Sequence, residues 1–185
     1  MEQKPGSPDR FGYSWDRFHE LTKNQENQFR LWTSLIDPET GWKDRTILDV
    51  GCGAGRNSYW AMTYGASGGL AIDLDERSLE RARHNLESFP GMEVRKASIY
   101  DLESSEEVDI AFSIGVIHHL EEPDKALSRM VRATKPGGTP ATAHTTPEAS
   151  SSRIARIGSR ANYGANVFVL ARPHAKRSAR VMSRA

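Results

Sequence analysis

Residues 47–56 read Ile47-Leu48-Asp49-Val50-Gly51-Cys52-Gly53-Ala54-Gly55-Arg56. The apolar run from Thr46 to Val50 suits a buried strand, the three glycines then demand a tight turn, and a helix can begin near Arg56. A glycine turn between strand and helix brings backbone N–H groups close to a ligand, with the helix N-terminus behind them. A nicotinamide-type turn is spaced Gly-x-Gly-x-x-Gly and rests a pyrophosphate on the helix end. Here the spacing is Gly-x-Gly-x-Gly, position 56 is Arg, and a carboxylate, Asp49, sits two residues before the first glycine. A carboxylate there repels a pyrophosphate and suits a cationic group such as an amino-acid ammonium.

Working outward, Gly69 to Asp73 is a second apolar strand that also ends in an acid, 24 residues after Asp49. In a βαβ unit this spacing sets Asp73 at the tip of strand two, beside the glycine turn, where a carboxylate can accept both hydroxyls of a ribose. A helix N-cap is the rival reading of Asp73, but Asp75 fits that task better, because Glu76 to Leu86 then runs as an amphipathic helix. Met92 to Ala97 reads as strand three and Val108 to Ile114 as strand four. Pro123 to Thr134 reads as a helix, opened by its proline and closed by Lys135-Pro136-Gly137-Gly138. Strands alternating with helices predict an α/β fold, a parallel sheet covered on both faces, with ligands bound beyond the carboxyl ends of the strands.

On these motifs the chain resembles the class I S-adenosylmethionine-dependent methyltransferases. Asp49 with Gly51, Gly53 and Gly55 matches their first motif. Val108 to Ser113 running on to His118-His119-Leu120, and Lys135 to Gly138, resemble the branch called methyltransferase type 11. The resemblance implies a Rossmann-like sheet, S-adenosyl-L-methionine as cofactor and methyl transfer as the activity. It implies that Asp49 holds the methionine ammonium and that Gly51, Cys52, Gly53 and Gly55 approach the cofactor by backbone. Asp73 would take the ribose, Leu74, Ser98 and Ile99 would surround the adenine, and Ser113, Ile114 and Gly115 would lie near the methionine end. The family commonly carries an Asp after strand three; this chain has Ser98 there, and Asp101 is either a substitute or a solvated loop acid.

Methyl transfer from a sulfonium is an in-line displacement of an activated group, so the protein mainly supplies alignment. A base is needed only when the acceptor must lose a proton. The candidates are His118, His119, Tyr13 and Tyr100. Adjacent histidines in extended chain point apart and make a poor metal pair, and no other residues show metal-ligand spacing. Tyr13, Trp15 and Phe18 precede a helix-like stretch carrying Phe29, Trp32 and Leu35, and either line an acceptor pocket or are buried against the sheet.

A chain of 185 residues suffices for one domain. Its single cysteine, Cys52, fits a reducing compartment such as the cytoplasm. No apolar run is long enough to span a membrane, and the opening Met-Glu-Gln-Lys-Pro-Gly does not read as a signal peptide. Charge divides the chain. Residues 1–138 hold 17 Lys or Arg against 23 Asp or Glu, whereas residues 139–185 hold 8 against one, Glu148. The expected layout is a helical cap over residues 1–44, a cofactor-binding core over 45–138 and an atypical basic tail over 139–185. Where a fifth strand should start the chain reads Thr139-Pro140-Ala141-Thr142, and only Asn166 to Ala171, with Val167 to Leu170 inside it, resembles a strand. The sheet is therefore expected to be truncated after strand four and its helix, leaving strand four with a bare edge unless Val167 to Ala171 fills the gap across a loop of about 26 residues. The tail is either an arm for RNA or another polyanion, or an out-of-frame end; the abrupt change in composition favours the second. The acidic core offers no basic track for nucleic acid, so a small-molecule acceptor is expected. A nicotinamide oxidoreductase, an inactive relic and an RNA-modifying enzyme remain as rivals, and the oligomeric state is open.

Overall fold

The computed structural model describes residues 21–102 and 107–135 in full, and residues 155–157 and 167–171 as backbone. Among the described residues helix α1 (Lys23–Trp32) comes first, then β1 (Thr46–Val50), α2 (Arg56–Thr63), β2 (Gly68–Asp73), α3 (Glu76–Asn85), β3 (Met92–Lys96), β4 (Ile110–Ile114), α4 (Pro123–Ala133), β5 (Ala155–Ile157) and β6 (Val167–Ala171). Short 3-10 turns occupy Ile99–Asp101 and Ile117–His119. The sheet order is β3-β2-β1-β4-β6-β5. Strands β1 to β4 are mutually parallel, with Asp49 opposite Ala71 on one side and Phe112 on the other.

The pleat of β1 decides where its residues go, because successive side chains leave opposite faces. Leu48 and Val50 pack with Leu70, Ile72, Ala126 and Met130, under α4. Ile47 joins Phe29, Trp42, Ala61 and Phe112 on the other face, under α1 and α2. Asp49 shares the parity of Ile47 and is carried into that second face. A third cluster, Ala71 with Leu79, Ala82, Leu86 and Cys52, seats α3. Helix α1 is held by Phe29, whose ring centroid lies 5.2 Å from that of Trp42, and by the Tyr64 hydroxyl donating to Glu26 at 2.7 Å. Tyr13, Trp15 and Phe18 lie outside the described residues, as does most of the basic tail.

One expectation changes, and one alternative is decided. Strand four begins at Ile110, not Val108, because Val108 forms a parallel bridge with Thr134 instead of joining the ladder with β1. The edge of β4 is filled by Val167 to Ala171, the alternative to a bare edge: β6 pairs along it antiparallel, Ile110 opposite Ala171 through Ile114 opposite Val167. The run Val167 to Leu170 supplies the ladder partners that an open edge lacks. The parallel part of the sheet still ends with β4 and α4 among the described residues.

Candidate active site

The carboxyl ends of β1, β2 and β4 meet at the glycine turn. Gly51, Gly53 and Gly55 all have positive φ, at 75°, 53° and 73°, a conformation that side-chain-bearing residues rarely adopt. Gly51 is also crowded: a Cβ there would stand 2.5 Å from a methyl of Val116, on the loop after β4. Gly55 is pressed against α3, where a Cβ would meet Ala82 and Leu86 at 3.1 Å. Asn85 at the end of α3 donates to the Ala54 carbonyl at 2.9 Å.

The turn does not offer its N–H groups as the glycine spacing suggests. Gly51 and Cys52 both donate to the Ile72 carbonyl, at 2.8 and 2.9 Å. Gly53 donates to Asp73 Oδ2 at 2.9 Å, and Gly55 to the Cys52 carbonyl at 2.9 Å. All four donors are consumed in joining β1 to β2 and closing the turn. A ligand that needed N–H donors, as a pyrophosphate does, would have to break these bonds.

Asp49 is 1% exposed. Its Oδ2 accepts the Ser58 hydroxyl at 2.7 Å, and its Oδ1 is buried without a partner. Burial pushes this carboxyl up to about 7, the nearby Asp73 carboxylate adds to the rise, and the Ser58 hydroxyl and backbone N–H oppose it. An unpartnered carboxylate oxygen in the interior is costly and is satisfied best by a cation. The first turn of α2 supplies Ser58 because it lies nine residues after Asp49, one turn and three helical positions on. Sequence reading missed it, although that spacing was available as a signal.

Asp73 ends β2 with both oxygens engaged. Besides the bond from Gly53, its Oδ1 accepts from Leu74 N–H at 2.7 Å and Asp75 N–H at 3.0 Å. The helix cap falls to Asp75, which accepts from Ser78 N–H at 3.0 Å. Leu74 stands open, 48% exposed, one of three large hydrophobic residues that do among those described. Ser98 turns its hydroxyl back to accept from Tyr100 N–H. Ile99 is 4% exposed and packed into the cluster under α4 instead of standing open at the edge. Asp101 ends the following turn, exposed. Cys52 is buried with its thiol 3.6 Å from the Gly53 carbonyl, and burial holds that thiol well above its ordinary range.

On the β4 side, the Ser113 hydroxyl donates to the Val50 carbonyl at 2.8 Å, pinning β4 to β1. Ile114 is half-buried at the strand end. Gly115, with φ of 78°, has no atom within 4 Å of where a Cβ would be, so the edge is open there. His118 and His119 are not in extended chain. The 3-10 turn brings their rings to 3.8 Å between centroids, tilted by 44°. Both are exposed, and partial desolvation and the charge of His119 hold His118 below the ordinary imidazole range. Tyr100 is tied by its hydroxyl to the backbone of Glu122, as donor and as acceptor, at 3.1 Å. Among the described residues no group of three or more His, Cys, Asp or Glu could hold a metal ion, and no helix is long and apolar enough to cross a membrane.

A methyltransferase-domain profile matches residues 48–141, from inside β1 past the end of α4. This chain belongs to the class I S-adenosylmethionine-dependent methyltransferases. The ubiquinone biosynthesis O-methyltransferase of Pseudomonas savastanoi pv. phaseolicola is 32% identical over 128 residues, which are 67% of this chain and 54% of that protein. The chain thus spans about half the length of the curated relatives it matches. The fold is similar to that of the S-adenosylmethionine-dependent methyltransferase from Thiobacillus denitrificans, solved in complex with S-adenosyl-L-homocysteine. That match has 19% identity, covers 75% of this chain and 54% of that chain, and has a TM-score of 0.54. A methyltransferase from Mesorhizobium loti is 29% identical, covering 58% of this chain and 48% of the other, with a TM-score of 0.50. The cofactor of this family is S-adenosyl-L-methionine.

Proposed function

We propose that this protein transfers a methyl group from S-adenosyl-L-methionine to the hydroxyl oxygen of a small-molecule acceptor. The observation that carries the cofactor reading is the buried, unpartnered Oδ1 of Asp49, beside a turn in which the N–H groups of Gly51, Cys52, Gly53 and Gly55 are consumed. Such a corner is built for a cation and not for a phosphate, which also disfavours the nicotinamide rival. The bound cofactor supplies an electrophilic methyl group on a sulfonium.

In this reading Asp49 takes the ammonium through Oδ1. The bare backbone at Gly51, Cys52, Gly53 and Gly55 lets the methionine end lie flat on the turn, by close contact instead of N–H donation. Asp73 keeps lone-pair capacity for one ribose hydroxyl, since each carboxylate oxygen takes about two hydrogen bonds, Oδ1 already has two and Oδ2 has one. Leu74 covers an adenine face from the open edge, Ser98 borders it, and Ile99 backs it from the core. Ile114 and the open backbone at Gly115 border the methionine end. His118 and His119, at the same edge, are the described candidates for taking the acceptor proton, and partial burial favours a neutral His118 at neutral pH. Tyr13 remains a candidate that lies outside the described residues.

The oxygen acceptor is supported by the relatives named as O-methyltransferases. A small molecule is supported by the acidic balance of residues 1–138, which gives nucleic acid no basic track. Titration with S-adenosyl-L-homocysteine tests the reading. Micromolar or tighter binding, weakened by Asp49→Ala and by Asp73→Ala, is expected; folded protein that does not bind would refute it.

A further inference from the structure

We propose that Ser58 is a positioning residue: its hydroxyl ties down Oδ2 of Asp49, turning Oδ1 alone toward the cofactor's ammonium. This rests on the function proposed above. Ser58 is 0% exposed, so its hydroxyl has no water to turn to, and it lies 2.7 Å from Oδ2 while Oδ1 has no partner. A carboxylate held at one oxygen by the rigid first turn of a helix cannot rotate about its last torsion, and the free oxygen is aimed before a ligand arrives. The same bond favours the ionised form that an ammonium requires.

The groups around this corner set the comparison. Asp73 on β2 and Cys52 in the turn are acidic or neutral, Arg83 on α3 acts on Cys52, and Arg56 opens α2 two residues before Ser58. The neighbours of Asp49 across the ladder, Ala71 and Phe112, carry no charge. Ser58 is therefore the side chain that opposes burial and Asp73 in holding Asp49 ionised.

The test has two readouts on the parent, Ser58→Ala and Ser58→Thr. The first is the carboxyl carbon-13 shift of Asp49 against pH without ligand. Ser58→Ala is expected to move that titration to higher pH, and Ser58→Thr, which keeps the hydroxyl, to leave it near the parent's. The second is calorimetric affinity for S-adenosyl-L-homocysteine. Ser58→Ala is expected to weaken it about tenfold near pH 6.5, with the loss shrinking near pH 8.5 as Asp49 ionises regardless. An unmoved titration, or an affinity for S-adenosyl-L-homocysteine that Ser58→Ala leaves unchanged at pH 6.5, would mean that Ser58 only packs and would overturn the proposal. If the parent binds no S-adenosyl-L-homocysteine while the titration still moves, the proposed function fails and the role of Ser58 toward the cofactor goes with it.

Discussion

Asp49→Asn separates what the site costs the fold from what it gives the ligand. Asp49 is buried, and its native value of about 7 stands above the ordinary 3.8. The native state therefore holds the proton more tightly than the unfolded chain. The sign follows from linkage: stability is fully present below about pH 4 and is lost as pH rises through 7. At roughly 1.36 kcal/mol per unit, the ionised group costs the ligand-free protein about 1.5–2 kcal/mol at pH 5 and about 4 kcal/mol at pH 8. An amide of the same shape carries no charge at either pH. Its NH2 group inherits the unpartnered position of Oδ1 and incurs a pH-independent cost of about 1–3 kcal/mol. That offset cancels when the variant is compared with the parent at the two pH values. Urea unfolding at pH 5 and pH 8 should show the advantage of Asp49→Asn growing by about 2.5 kcal/mol between them. The same variant should lose affinity for S-adenosyl-L-homocysteine, because the neutral amide has no charge for the ammonium. An advantage that is the same at both pH values would show that Asp49 is not desolvated as described, and the argument for a cation-seeking corner would fall with it.

Gly51→Ala should destabilise the protein by about 2–4 kcal/mol in urea unfolding, since a Cβ there combines a left-handed φ with an approach of 2.5 Å to Val116. Asp73→Asn should weaken S-adenosyl-L-homocysteine by about tenfold or more in a calorimetric titration, because an amide cannot accept at both ends and one of the backbone N–H groups of Gly53, Leu74 and Asp75 is set against an NH2. Trp42→Ala, at 1% exposure beneath α1, should cost about 3–5 kcal/mol in the same unfolding assay.

The order of elements was legible in the sequence because each strand is a short apolar run bounded by glycine, proline or an acid, and each helix has a start signal. Pro123 opens α4, and Asp75 caps α3 through Ser78. Asp49 and Asp73 were legible as candidate site residues because an acid at the carboxyl end of a buried strand has few structural uses. The parity of β1 could even have assigned Asp49 to the face of Ile47. Pattern alone did not reveal how the backbone donors are spent. Glycine spacing specifies that a turn forms, and only the approach of β2 brings the Ile72 carbonyl to the N–H groups of Gly51 and Cys52 and the Asp73 carboxylate to that of Gly53.

Three further features depended on three-dimensional packing. Ser58 reads in the sequence as an ordinary polar helix residue, and it meets Asp49 because α2 folds back over β1. The histidines read as diverging neighbours until the 3-10 turn after β4 sets their rings together. The edge of β4 reads as open until β6 pairs along it. Local signals act over a few residues and are fixed by chain sterics and side-chain preference. By itself the sequence therefore determined the strands, the helices, the glycine turn and the two acids. Whether a buried carboxylate keeps a free oxygen, and which strand covers which edge, are contacts between segments far apart in the chain, and only the tertiary structure decided them.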